Sequence, residues 1–150
     1  MDVGLRRCIF AFLCIALITC TGDDVDVDNQ KIIGEWQVVA IYNSSPSGPT
    51  LGPLAGEIIS IIFFKNGTFE GTTSANTFGG EFSASDTHLV IEEMITTEVA
   101  DTVFGQAFYE TFEESRSTDT GFSEFELSFQ EGSRLHLEYQ SFKFLGLQKQ

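Results

Sequence analysis

From Lys31 onward the chain is cut into short apolar runs, each stopped by a cluster of Gly, Pro, Asn, Asp or Ser, and this punctuation favours strands and turns over helices. Ile32 to Tyr42 is rich in β-branched and aromatic residues and ends in Asn43-Ser44-Ser45-Pro46-Ser47-Gly48-Pro49, a loop by composition. Ile58 to Phe64 reads as a second strand, buried on both faces by its unbroken apolar character, and Asn66-Gly67 signals a tight turn. Thr68 to Thr73 returns as a third strand, and Phe78 to Ser83 and His88 to Ile91 follow around a turn at Asp86. Phe122, Phe125, Leu127 and Phe129 begin the last strands, Glu131-Gly132-Ser133 turns the chain, and Leu135, Leu137 and Tyr139 alternate. Phe142, Phe144 and Leu147 continue with shifted parity, which predicts a bulge or turn at Gln140-Ser141.

One stretch changes period. Ala100, Phe104, Phe108 and Phe112 recur every four residues with Val99, Val103, Ala107 and Thr111 alongside, and the spacing predicts an amphipathic helix over 98–114. Thr97 is the expected N-cap, Glu98 sits near the positive end of the helix dipole, and Asp101, Glu110, Glu113 and Glu114 form the charged side. One helix among seven or eight short antiparallel strands gives an α+β domain, a closed or nearly closed β-barrel whose helix covers an opening. Closure removes the exposed strand edges that a chain so rich in Phe and Ile would otherwise present.

The first residues stand outside that fold. Arg6 and Arg7 precede an apolar run from Cys8 to Ile18 that is too short to span a bilayer and has the shape of a secretory signal over residues 1–19. Leu17-Ile18-Thr19-Cys20 resembles a lipobox, with Thr19 in place of the usual Gly, Ala or Ser; the resemblance implies cleavage before Cys20 and acylation of its thiol. An ordinary signal peptide with an incidental cysteine, or an uncleaved anchor, is the less favoured alternative. Cys8, Cys14 and Cys20 are the only cysteines, so no disulfide framework is possible in the mature domain and packing must hold it together. Most of the 15 phenylalanines follow the signal and supply the area for that packing.

Removing residues 1–19 takes away Asp2, Arg6 and Arg7 and leaves 6 basic against 21 acidic residues, a net charge of −15. Nucleic acid needs a basic patch and is an implausible partner, and adhesion to anionic lipid without acyl chains is disfavoured. Residues 20–30 read as an acidic tether, with Asp23, Asp24, Asp26 and Asp28, and the domain as 31–150. Thr21 rather than Asp follows Cys20, so the expected destination is the outer membrane; the aspartate run resembles the acidic signal that carries lipoproteins of Bacteroidetes-type bacteria to the cell surface. A plain spacer explains the same run equally well.

Chemistry is sparse. Asp24, Asp26, Asp28 and Glu35 have EF-hand-like spacing, but Asn29 replaces the turn glycine, Lys31 adds a positive charge and Glu35 begins a strand, so no metal is expected. His88 and His136 are the only histidines, too few for most zinc sites. Glu92-Glu93 and Glu113-Glu114 are adjacent carboxylates that rarely converge on one substrate. Trp36, the only tryptophan, is expected to point inward and close a barrel end. No catalytic residue and no cofactor is expected, and the domain should be a monomer.

The stretch Gly71-Thr72-Thr73-Ser74-Ala75-Asn76-Thr77-Phe78-Gly79-Gly80-Glu81-Phe82 resembles the G-x-x-x-C-N-x-x-x-G-x-Y core of the META (HslJ-like) domain. Thr96-Thr97-Glu98-Val99-Ala100-Asp101 resembles that family's T-T-x-M-A-C approach to its helix, with Gly34-Glu35-Trp36 before and Leu135-His136-Leu137 after. The resemblance covers 31–148. The family's two cysteines correspond to Ala75 and Asp101, so redox chemistry of that pair is excluded here. It implies a non-catalytic interaction or envelope stress-tolerance role. The alternative is a lipocalin-like lipoprotein that binds a small ligand in the barrel interior; the mid-chain helix favours META.

Overall fold

The structure is a computed structural model and describes residues 29–43 and 50–150. Eight strands form one closed antiparallel barrel in sequence order: β1 Gly34–Asn43, β2 Ser60–Phe63, β3 Thr68–Thr72, β4 Thr77–Ala84, β5 His88–Thr96, β6 Ser123–Gln130, β7 Arg134–Tyr139 and β8 Lys143–Lys149. The single described helix, α1 Val103–Glu114, lies between β5 and β6. The expected barrel with one helix is therefore present, and its content is mostly β rather than an even α+β mixture. Antiparallel pairing of β1 with β8 closes the ring, although β5 pairs with β6 only as far as Ile91.

Up-and-down order sends alternate turns to opposite ends. Gly34 pairs with Phe63, Trp36 with Lys149 and Arg134 with Gln148, so the start of β1, the turns at 64–67, 85–87 and 131–133, and the C-terminus share one end. Asn43 pairs with Lys143, Thr72 with Thr77 and Phe78 with Thr96, placing the end of β1, the start of β2 and the β3–β4 and β7–β8 connections with α1 at the other end.

Inward-facing residues fill the barrel. Trp36, Ile61, Phe63, Phe82, Phe125 and Leu145 are among the fully buried side chains, and Phe63 meets Phe82 edge-on at 4.9 Å between centroids. Two bulges keep the pattern in phase with this core. In β1 the register slips between Val38 and Ala40, so Val38 and Ile41 both face inward. Opposite Glu81/Phe82, Glu92 is the extra residue of β5, which leaves Glu92 and Glu93 both exposed. Gly80 is required beside it, because a Cβ there would overlap the Glu93 carbonyl.

Each end has its own plug. At the N-terminal end Ile32 is fully buried and accepts a 2.6 Å hydrogen bond from the Trp36 indole N–H, as expected of an inward tryptophan. At the helix end Phe104, Phe108 and Phe112 turn inward, with Phe108 5.1 Å from Phe78 and Phe112 5.6 Å from Phe125.

Two expectations are corrected and a third is met. The helix spans 103–114, not 98–114, and its N-cap is Thr102, whose hydroxyl accepts from Gly105 N–H at 3.0 Å. Thr97 and Glu98 lie in an extended lead-in, and Val99, Ala100 and Val103 are exposed. The physical cause is Asn76, whose side-chain amide bonds both the N–H and the C=O of Val99 and so withholds them from a helix. The Ile58 to Phe64 run is not buried on both faces: the strand is Ser60–Phe63, Ile61 and Phe63 face inward, and Ile58 and Phe64 are exposed. The bulge or turn expected at Gln140-Ser141 is present as a tight turn, with Gln140 at φ 38° and Phe142 at φ 81°.

Candidate functional site at the helix end of the barrel

Asn76 is the hub of this end. It is 5% exposed, and its side chain donates to Val99 O at 2.8 Å and to Asp101 Oδ2 at 3.0 Å while accepting from Val99 N–H at 2.8 Å and Thr97 Oγ1 at 3.0 Å. Asp101 also accepts from the Thr73 hydroxyl and from Thr102 N–H at 2.8 Å. Burial pushes the Asp101 carboxyl up, but the bonds from Thr73, Asn76 and Thr102 outweigh it and hold the group below its ordinary value. These contacts tie the β3–β4 connection to the lead-in of α1. A third segment joins through Glu57, whose carboxylate accepts from the Thr102 hydroxyl and from Leu54 N–H at 2.9 Å. Every buried polar side-chain atom among the described residues has a partner, so the network is a structural lock rather than a set of groups awaiting a substrate.

Around this lock the surface is apolar. Glu57, the chain neighbour of Ile58, ties Leu54 to Thr102, the chain neighbour of Val103, and Asn76 ties Val99 to Asp101 next to them. The exposures are 77% for Leu54, 57% for Ile58, 58% for Val99 and 74% for Val103. Of the exposed large apolar residues described, only Val39 and Phe64 lie away from the helix end and the strand ends next to it.

Charge is distributed with the opposite bias. Lys31, Lys65, Arg134 and Lys149 are at the N-terminal end, while the two cations at the helix end are each paired, Arg116 with Glu113 and Lys143 with Glu114, both at 2.9 Å. No Lys or Arg occurs between Lys65 and Arg116 in the sequence.

The residues singled out in the sequence are not brought together. Glu113 and Glu114 point to different cations, and Glu92 and Glu93 lie exposed on the bulge. His88 is exposed, with its Nδ1 2.8 Å from the Thr87 hydroxyl. His136 is half-buried on the outside of the barrel, stacked on Phe144 at 4.4 Å, and burial pushes its pKa down, with Glu138 opposing and Arg134 adding to that shift. Among the described residues no group of three or more His, Cys, Asp or Glu could hold a metal ion. Cys20, Asp23, Asp24, Asp26 and Asp28 lie outside the described residues. Sequence reasoning did not identify the Asn76 lock or the apolar corner, because their members meet only across 20 to 45 residues of chain.

Surface grooves are modest. One of about 360 Å³ lies between His88, Glu124, Glu138 and Phe142, and one of about 190 Å³ lies where β5 parts from β6, between Met94, Tyr109 and Phe112.

No family model matches the chain, and no curated protein does. Among solved structures it is similar to the NMR structure of a protein from Burkholderia xenovorans, 15% identical over 83% of each chain with a TM-score of 0.58. It is also similar to the crystal structure of an uncharacterized protein from Bacteroides eggerthii, 19% identical over 77% of this chain and 98% of that one, with a TM-score of 0.46. The first likeness bears on the fold alone.

Proposed function

We propose that this chain is a lipoprotein of the cell envelope, anchored to the outer membrane through acylated Cys20, whose META/HslJ-like barrel is a non-catalytic interaction module. The observation that carries the module reading is the filled interior: a continuous cluster running from Ile32 and Trp36 through Phe82 and Phe125 to Phe108 occupies the space that a ligand-binding barrel would keep open. The Asp101 lock supports the family resemblance. Asp101 and Ala75 stand where that family has cysteines, and Asp101 ties the same two segments by hydrogen bonds to Thr73 and Asn76.

A lipocalin-like reading has one observation in its favour, the crevice of about 190 Å³ beneath α1. Its volume is below the usual range for a small-molecule site, roughly 300–1,000 Å³, so the interaction module is preferred. Intact-mass analysis of the membrane fraction tests the anchor: Cys20 should be N-terminal and carry the acyl mass, and Cys20→Ser should abolish both. Wild-type protein cut elsewhere with Cys20 unmodified would remove the lipoprotein reading.

A further inference from the structure

We infer that the helix end of the barrel is the docking surface of the module, and that it receives a protein whose contact face is apolar with Lys and Arg at its rim. The inference rests on the interaction-module reading and names the partner's chemistry. Its basis is a double polarity of the barrel. The chain enters the described fold at Asn29, which is buried and held by Ala84 O and Ser85 O at the β4–β5 turn, so any tether leaves from the N-terminal end. Leu54, Ile58, Val99 and Val103 gather at the opposite end, where a tethered domain meets its surroundings. Single exposed apolar residues are ordinary on a soluble domain; four held at one corner by the Glu57–Thr102 and Asn76–Val99 bonds mark a contact surface.

Charge decides the occupant. Glu98 is exposed beside the corner, and segments 51–64 and 97–106 contain no Lys or Arg. Arg116 and Lys143, the cations at this end, are already engaged by Glu113 and Glu114. An anionic membrane would be repelled. A second copy would bring the same exposed Glu98 and the same absence of cations, so self-association gains no charge complementarity at this corner. An apolar face with a cationic rim satisfies both features.

The test uses the protein as isolated from membranes, reconstituted in nanodiscs of zwitterionic lipid with empty nanodiscs subtracted. The probe is a short dye-labelled helical peptide of Leu and Lys, compared with a Lys and Ser peptide of equal charge, and binding is read by fluorescence anisotropy. The wild-type protein should bind the Leu/Lys peptide. Binding should weaken at least about tenfold in the Ile58→Ser, Val103→Ser double variant and for the Lys/Ser peptide, and should persist in Phe64→Ser at the other end. Both substituted residues are exposed and the charge is unchanged, and unaltered far-ultraviolet circular dichroism verifies the fold. Equal binding of the two peptides, or binding indifferent to the double variant, overturns the proposal. So does a concentration-dependent dimer of the wild type that the double variant abolishes, because the occupant would then be a second copy. Failure of the protein to stay with the nanodiscs counts against the anchor alone, and the peptide titration is then read on the same chain in buffer.

Discussion

The two ends of the barrel solve one problem, how to close a tube roughly 20–25 Å long, with different materials. At the N-terminal end Trp36 lies beneath Ile32, and Lys149 sits over the indole at 5.0 Å while donating to the carbonyls of Lys31 and Ile33. One amphipathic cation covers the ring and satisfies the backbone, so little apolar surface is left outside. At the helix end three phenylalanines of α1 fill the opening, and a polar network of Asn76, Asp101 and Glu57 holds the surrounding segments in place. That network positions the loops but does not cover them, and Leu54, Ile58, Val99 and Val103 remain in solvent. The difference leaves the helix end with most of the exposed large apolar residues described.

The largest expected effect comes from emptying the helix plug. Phe108 is fully buried against Phe78, Tyr109 and Phe112, and Phe108→Ala should destabilise the protein by about 3–5 kcal/mol in urea unfolding. A near-neutral result would mean that α1 does not close the barrel. Next is the lock: Asn76→Ala strands both the N–H and the C=O of Val99 and should cost roughly 2–3 kcal/mol, with faster amide exchange at Val99. If exchange there is unchanged, the lead-in is held by something other than Asn76.

These two positions also show what the sequence could carry. The body of α1 was legible because Phe104, Phe108 and Phe112 record a helical period locally. Its start was not, since the residue that ends the extended lead-in, Asn76, is 23 positions from Val99 and acts through tertiary hydrogen bonds. The continuous apolar run at Ile58 to Phe64 misled for a related reason: burial of its outward face depends on whether another layer covers the barrel, and Ile58 and Phe64 find none. The bulges at Val39 and Glu92 were hidden because an extra residue is visible only against its partner strand. The separation of cations from exposed apolar residues requires strand order and direction, so it too appeared only in the folded barrel.

A smaller effect is expected at the N-terminal plug. Trp36→Phe keeps the ring but removes the indole N–H, leaving Ile32 O without that donor, and should cost roughly 1–2 kcal/mol, about half the cost at Phe108 or less. Equal costs at the two positions would erase the contrast between the ends. The smallest effect is the pH dependence of the lock. Asp101 has a lowered pKa in the fold, so the unfolded chain binds more protons as acid is added; its contribution is complete above the ordinary value of 3.8 and is lost as pH falls through the folded pKa. Asp101→Asn should therefore be less stable than wild type at neutral pH, and the two should converge in acid. A difference that persists below that range would assign the effect to the shape of the side chain rather than its charge.

The central claim is that the barrel is held by one end and presents the other. Spin labels at Lys65→Cys and Val103→Cys, one at each end, can be read on the acylated protein in vesicles containing a gadolinium-chelating lipid. Stronger relaxation at position 65 than at position 103 is the predicted result, and equal or reversed relaxation would contradict it.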